Sequence, residues 1–352
     1  LTIADAGTTQ RLRQIREEEQ NRLREVLSSS SVIELMRDLN DLHDRLIARA
    51  VKLAEEEAAR QGHGAPPVPY AYMLFGSGGR SEQTMSSDQD SGLVYEDPPG
   101  DDEAERARDY FRFLAETVVR FLIETGYPPC EGNVLSSNPE WCLPESGWER
   151  KLNTWFEEPS WEHVRYLLIV ADGRTVYGDE AIGERWRARF GRDVEVHPVI
   201  ARRMMENTLR HKALVGVFGQ LLTERYGESA GSIDIKYGAY IPMVNVFRLL
   251  AVRAGIRETS TLGRIRALRA ANLLTEQEEK ESTEAFALFL ELRLRAVEKD
   301  EEGQWIGTGK FPASRLMPER KRPLKKALSL VRKLQRRLER ELRNRFGGGE
   351  HH

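Results

Sequence analysis

The sequence predicts an α+β protein in three parts: an N-terminal helical region, a small mixed sheet with helices, and an all-α helical bundle. Three observations carry this expectation. Apolar residues between Val32 and Leu53 recur at steps of three and four, the period of an amphipathic helix. Between Tyr70 and Val170 the apolar runs become short and several end at Gly or Pro, as strands do. Beyond about residue 190 the spacing of threes and fours returns and holds almost to the end.

At 352 residues the chain is too long for a single hydrophobic core. With 40% hydrophobic and 31% charged residues it has the composition of a soluble globular protein, which excludes a disordered chain. No apolar run approaches the roughly 18 residues of a membrane span, so no membrane partner is expected. The start, Leu1-Thr2-Ile3-Ala4-Asp5, has no secretory pattern, and its lack of Met points to missing upstream sequence. Cys130 and Cys142 form no CxxC pair and have no neighbouring His, which excludes a zinc knuckle and fits a reducing, cytoplasmic setting.

Element by element, a long helix built on Leu35, Met36, Leu39, Leu42, Leu46, Ala50 and Leu53 ends near Gly62. Gly62 to Pro69, with two further prolines, cannot continue it and reads as a linker, giving an N-terminal region over 1–62. A second domain is expected over 66–190. Its strands are Tyr70 to Phe75, Ser91 to Tyr95 and Val164 to Val170, with a helix over Asp102 to Thr125 closed by Gly126. A helical domain over 191–346 comes next, with helices at Met204 to Arg225, Ile241 to Ala254, Leu262 to Ala271, Glu276 to Val297 and Pro323 to Phe346. Residues 347–352 read as a flexible tail or tag.

Chemistry concentrates in Gly76-Ser77-Gly78-Gly79-Arg80 and Asp88-Gln89-Asp90. A strand that ends in glycines lets the backbone approach a ligand closely, and free N–H groups there can bind phosphate oxygens. Asp88 and Asp90, two apart at the start of the next strand, share a face, where two carboxylates repel unless a cation lies between them. Hard oxygen ligands suit Mg²⁺ or Mn²⁺. A phosphate cradle facing a carboxylate pair is what metal-assisted phosphoryl or nucleotidyl transfer needs. Other glycine motifs fail: there is no GxxxxGK[ST], and Gly227-Glu228-Ser229-Ala230-Gly231 comes after a helix with no His beyond it but the terminal pair.

Gly76-Ser77 followed by Asp88-Gln89-Asp90 resembles the signature of the polymerase β-like nucleotidyltransferase superfamily. More narrowly, Gly-Ser-Gly-Gly-Arg-x-Glu-Gln leading to Ser-Asp-Gln-Asp is similar to domain of unknown function 294, related to the N-terminal domain of the PII-protein uridylyltransferase. Asp172-Gly173-Arg174 leading to Gly178-Asp179 continues the likeness. Asp234-Ile235-Lys236, Asn245 to Arg248 and the basic last helix resemble that family's substrate-binding domain. The resemblance implies transfer of a nucleoside monophosphate from a nucleoside triphosphate to a protein or small-molecule acceptor. It implies Gly76, Ser77 and Gly78 at the triphosphate and Asp88 and Asp90 at the metal. It favours Asp172 as a third carboxylate, with Glu131 as the rival.

Arg80 is a candidate phosphate ligand, or else an internal partner of Glu82. Lys236 is expected to reach the triphosphate from the helical half, and the alternative is a solvated or Asp234-paired side chain. Trp141, Trp148, Trp155 and Trp161 are expected in packing. Lys310 to Arg345 holds fourteen Lys and Arg against three Glu, a local charge of +11, in a chain of net charge −3. Glu339 and Glu341 among those arginines weigh against a nucleic-acid partner and for a solvated face. Two function classes result: an active uridylyltransferase-like enzyme, or a degenerate module that binds a nucleotide without transfer. An RNA-terminal transferase using the basic helix is a third.

Overall fold

The computed structural model describes residues 2–193, 197–216 and 219–346. The tail expected at 347–352 lies outside the described residues. Two compact units emerge: Leu1–Thr154 with Asp172–Phe190, and Trp155–Ala171 with Gly191–His352.

The first unit opens with α1 (Thr9–Glu25) and α2 (Val32–Arg60). Helix α2 buries the expected stripe, including Leu35, Leu39, Leu46, Ala50 and Leu53, but Asn40 and His43 are buried within it too. Strand β1 (Tyr70–Leu74) leads into a single helical turn, α3 (Gly76–Gly79), and β2 (Ser91–Tyr95) returns antiparallel to it. Helix α4 (Asp101–Thr125) has three acidic residues in its first turn and stops at Gly126, whose φ of 110° is the left-handed cap that glycine adopts without strain. It packs on α1 and α2. Strand β3 (Cys142–Pro144), α5 (Glu145–Glu157), β4 (Arg174–Gly178) and α7 (Glu180–Asp193) complete the elements that enter this unit. The sheet order is β3-β2-β1-β4, with only the β2/β3 pair parallel. Every residue of β1 and β2 is buried, so the centre of the sheet is the core of the unit. Phe75, which precedes the glycine turn, meets Trp141 edge to face and Trp186 at a tilt, and Trp148 packs edge to face on both tryptophans.

Val164 to Val170 is not a strand. It belongs to helix α6 (Trp161–Val170), started by the Ser160 hydroxyl, which accepts from the His163 N–H at 3.1 Å. Val164, Leu167 and Leu168 are buried, the three-and-four spacing of a helix rather than alternation, and this periodicity overrides the β-branched composition.

The second unit places α6 beside α8 (Pro198–Thr208). Here too the helix expected over Met204 to Arg225 is cut short: α8 ends at Thr208, and residues 209–216 are a turn and extended chain that includes a bridge at Val215 to Leu221. The glycines at 216 and 219 break the helical period there. The remaining elements are strand β5 (Ser232–Asp234), α9 (Ile241–Arg253), α10 (Thr261–Ala270), α11 (Glu276–Arg295), β6 (Val297–Lys299), β7 (Trp305–Gly307), β8 (Lys310–Pro312) and α12 (Pro318–Phe346). Helices α9 to α12 pack in sequence, and α12 also contacts α8 and α9. Among the described residues no helix is long and apolar enough to cross a membrane.

Candidate active site

Register brings the two motifs to one end of the sheet. Leu74, the last residue of β1, pairs with Ser91, the first of β2, and with Arg174, the first of β4. The segment leaving β1, Gly76 to Arg80, must therefore lie beside the segments entering β2 and β4, which carry Asp88 to Asp90 and Asp172. The Phe75 N–H donates to the Asp90 carbonyl at 2.9 Å, extending the pairing one step past the strands.

The glycine turn is specified by crowding. Gly76 has φ of 54°, and a Cβ there would stand 2.4 Å from Asp90 Oδ2. A Cβ on Gly79 would stand 2.0 Å from the Asp172 carbonyl oxygen and 2.8 Å from that of Leu74, both backbone atoms that cannot swing away. Gly76, Ser77 and Gly78 lead the turn, the positions whose N–H groups a helix leaves without an i−4 acceptor. Ser77 is half-buried.

Asp88 is exposed and Asp90 half-buried, while Gln89 between them is buried, the alternation of extended chain. Gln89 fixes that polarity: its N–H donates to the Pro128 carbonyl at 2.8 Å, and its side-chain amide donates to the carbonyls of Val119 (3.1 Å) and Tyr127 (2.9 Å). The two carboxylates thus share the outward face next to the glycine turn. Burial first, and the negative charges of Asp90 and Asp88 after it, push the Cys130 thiol up to about 12, so it stays protonated and donates to the Val134 carbonyl at 3.6 Å. Glu131, next to it, is exposed in a turn.

Arg80, expected at the phosphates, is only 4% exposed. Its Nε donates to Glu82 at 2.9 Å and its Nη1 to Asp172 Oδ2 at 2.8 Å. Asp172 is fully buried. The three side chains form an internal ion cluster that ties the end of α3 to Asp172, two residues before β4. Arg174 reinforces the same turn, donating to both Asp44 oxygens (2.8 and 2.6 Å) and to the Gly78 carbonyl (2.8 Å). Lys236 belongs to the second unit, in a π-turn over Lys236–Tyr240, where its N–H donates to Gly309 and its ammonium lies 5.2 Å from the Tyr237 ring centroid.

Sequence reading missed the support beneath the loop. Asn40 on α2 accepts from the Gln83 N–H (2.9 Å) and donates to the Gln83 carbonyl (3.1 Å), acting as a strand partner for one residue. Arg16 and Gln20 on α1 both donate to the Met85 carbonyl. His43 lies between Tyr127 (2.7 Å) and the Thr84 carbonyl (2.9 Å). A carbonyl only accepts, so Nε2 carries the proton and Nδ1 accepts from the tyrosine hydroxyl. Burial first, and the Arg16 charge second, hold its pKa down at about 3, so the ring is neutral. Two polar residues inside the apolar stripe of α2 were the available signal.

The donor set fits a hard divalent cation that shares its coordination with a substrate. Among the described residues no group of three or more His, Cys, Asp or Glu is arranged to hold a metal by itself. Mg²⁺ is commonly held by one or two carboxylates and the substrate's own phosphates, which matches an Asp88–Asp90 pair set against a glycine turn.

Two family models match the chain. Residues 18–162 match Putative nucleotidyltransferase DUF294, and residues 198–342 match Putative nucleotidyltransferase substrate binding domain. No curated protein matches.

Proposed function

The chain belongs to the DUF294 nucleotidyltransferase family, and from that premise we propose that it transfers a nucleoside monophosphate from a nucleoside triphosphate to a hydroxyl of a protein or small-molecule acceptor, in the manner of a uridylyltransferase. The observation that supports this is the set of three positions at one sheet end: the glycine turn, the outward Asp88–Asp90 pair and the buried Asp172–Arg80–Glu82 cluster behind them.

In this reading Ser77 and the leading N–H groups of the turn bind the triphosphate, and Asp88 and Asp90 hold Mg²⁺ or Mn²⁺. The cation, when bound, neutralises charge on the triphosphate. The acceptor oxygen attacks the α-phosphorus, the bond from that phosphorus to the bridging oxygen breaks, and pyrophosphate leaves. Arg80 and Asp172 position the turn, and Arg174 does so through the Gly78 carbonyl. The resemblance favours Asp172 as the third carboxylate, but because Asp172 is fully buried and paired with Arg80, we propose that its rival Glu131, exposed beside Cys130, takes the acceptor proton, with Asp172 the alternative. Lys236 is proposed as a nucleotide contact from the substrate-binding domain.

Incubation with each α-labelled triphosphate, Mg²⁺ or Mn²⁺ and a cell extract tests this: labelled acceptor and stoichiometric pyrophosphate are expected. Glu131→Gln should lose turnover with binding kept, whereas the same pattern in Asp172→Asn alone would move the proton-accepting role there. Engagement of Asp172 by Arg80 favours one second reading, a regulatory module that binds the nucleotide and releases no pyrophosphate.

A further inference from the structure

Helix α12 carries two opposed stripes. Leu324, Leu328, Val331, Leu334 and Leu338 are buried against the second unit. On the opposite side Arg322, Lys326, Lys333, Arg336, Arg340 and Arg343 succeed one another at steps of four, seven, three, four and three, with Ser329 filling the gap. All are exposed. At about 1.5 Å per residue the stripe runs about 30 Å in a nearly straight line.

The two glutamates that speak for a solvated face are already engaged. Glu339 takes Lys212 and Arg332, and Glu341 takes Arg253 from α9. Arg337, off the stripe, pairs with Glu278 on α11. Among the described residues none of the six stripe cations has a carboxylate partner, so their charge is neutralised only by solvent ions. Arg336, Arg340 and Arg343 of the stripe also line a groove of about 570 Å³ together with Val215, Gly216 and Glu339, the last already paired with Lys212 and Arg332.

We propose that the exposed basic stripe of α12, with the groove beside it, binds the phosphate backbone of a nucleic acid. Unpaired cations in a row release counterions when they meet a regular row of phosphates, and guanidinium groups, four of the six, match phosphate oxygens in a planar fork. The stripe has no aromatic or large apolar side chain among its cations, so it lacks the anchors that dominate protein interfaces. The same absence predicts binding without base stacking, indifferent to sequence. The apolar face of α12 is buried, which removes the surface an interfacial helix would insert into a membrane. This inference stands apart from the transfer reaction and uses none of its residues.

Fluorescence anisotropy of the full chain with labelled single-stranded RNA, single-stranded DNA and duplex DNA of mixed sequence tests it. The expected result is saturable binding that weakens steeply between about 50 and about 200 mM salt and is similar across sequences. The double variant Arg336→Glu/Arg340→Glu should bind at least about tenfold more weakly, with its log–log salt slope lower by about 2. Arg266→Glu/Lys280→Glu, an equal charge change at exposed sites on α10 and α11, should bind as the parent does. Circular dichroism melts verify that both variants fold. No saturable binding, equal losses in the two double variants, or tighter binding of polyglutamate or phosphatidylserine vesicles than of nucleic acid would each overturn the proposal.

Discussion

Arg80, read from sequence as a phosphate ligand or else a partner of Glu82, braces two carboxylates. It lies buried between Glu82 and Asp172, so its removal leaves two carboxylates without their cation in the interior. Arg80→Met should cost about 3–5 kcal/mol in urea unfolding. The triple variant Arg80→Met/Glu82→Gln/Asp172→Asn should recover most of that loss, because no buried charge remains unpaired. His43 makes a pH prediction of definite sign. Its folded pKa of about 3 lies below its ordinary value, so the unfolded chain binds the extra proton. Stability from this residue is therefore complete above about pH 6.5 and is lost as pH falls toward 3, at up to about 1.4 kcal/mol per pH unit. His43→Gln, which stays neutral, should show a flatter fall in melting temperature between about pH 6.5 and about pH 5 than the parent does. An equal slope in both would contradict a buried neutral imidazole facing Arg16, Tyr127 and the Thr84 carbonyl.

At the scale of elements, α1 and α2 complete the loop between the glycine turn and the carboxylate pair. Asn40→Leu removes both bonds to the Gln83 backbone and leaves a buried N–H and carbonyl unpaired, at about 1–3 kcal/mol each. Hydrogen exchange at the Gln83 amide should rise sharply in that variant while exchange in β1 and β2 changes little. The motif itself was legible because its chemistry depends on adjacent residues: glycines that a side chain would obstruct, and carboxylates two apart on an extended segment. The support was not, because Asn40, Gln20 and Arg16 touch the loop across 43 to 69 residues of sequence, where no local pattern records the contact. Val164 to Val170 misled for a related reason. Valine and isoleucine favour strands in general, but Val164, Leu167 and Leu168 had a helical spacing that outweighs composition once Ser160 supplies a cap. For Arg80 the pairing with Glu82, two residues on, was legible as one of two readings, whereas the pairing with Asp172, 92 residues away, was not.

At the scale of the whole molecule, the nucleotidyltransferase-type unit is discontinuous, leaving after Thr154 and returning at Asp172. Its N-terminal helices pack on α4, and α2 also packs on β4. A fragment of residues 66–190 would lack Arg16, Gln20, Asn40, His43 and Asp44, every one of which bonds the loop or Arg174. Such a fragment should show no cooperative thermal transition by circular dichroism. A sharp transition matching that of the full chain would show the helices to be dispensable. Asp88 and Asp90 are proposed to hold the cation of a metal–nucleotide complex against the glycine turn. Calorimetric titration of Mg²⁺-nucleoside triphosphate into the full chain and into the folded double variant Asp88→Asn/Asp90→Asn tests it most directly: metal-dependent binding should be present in the first and lost in the second, and equal affinity in both would contradict the site.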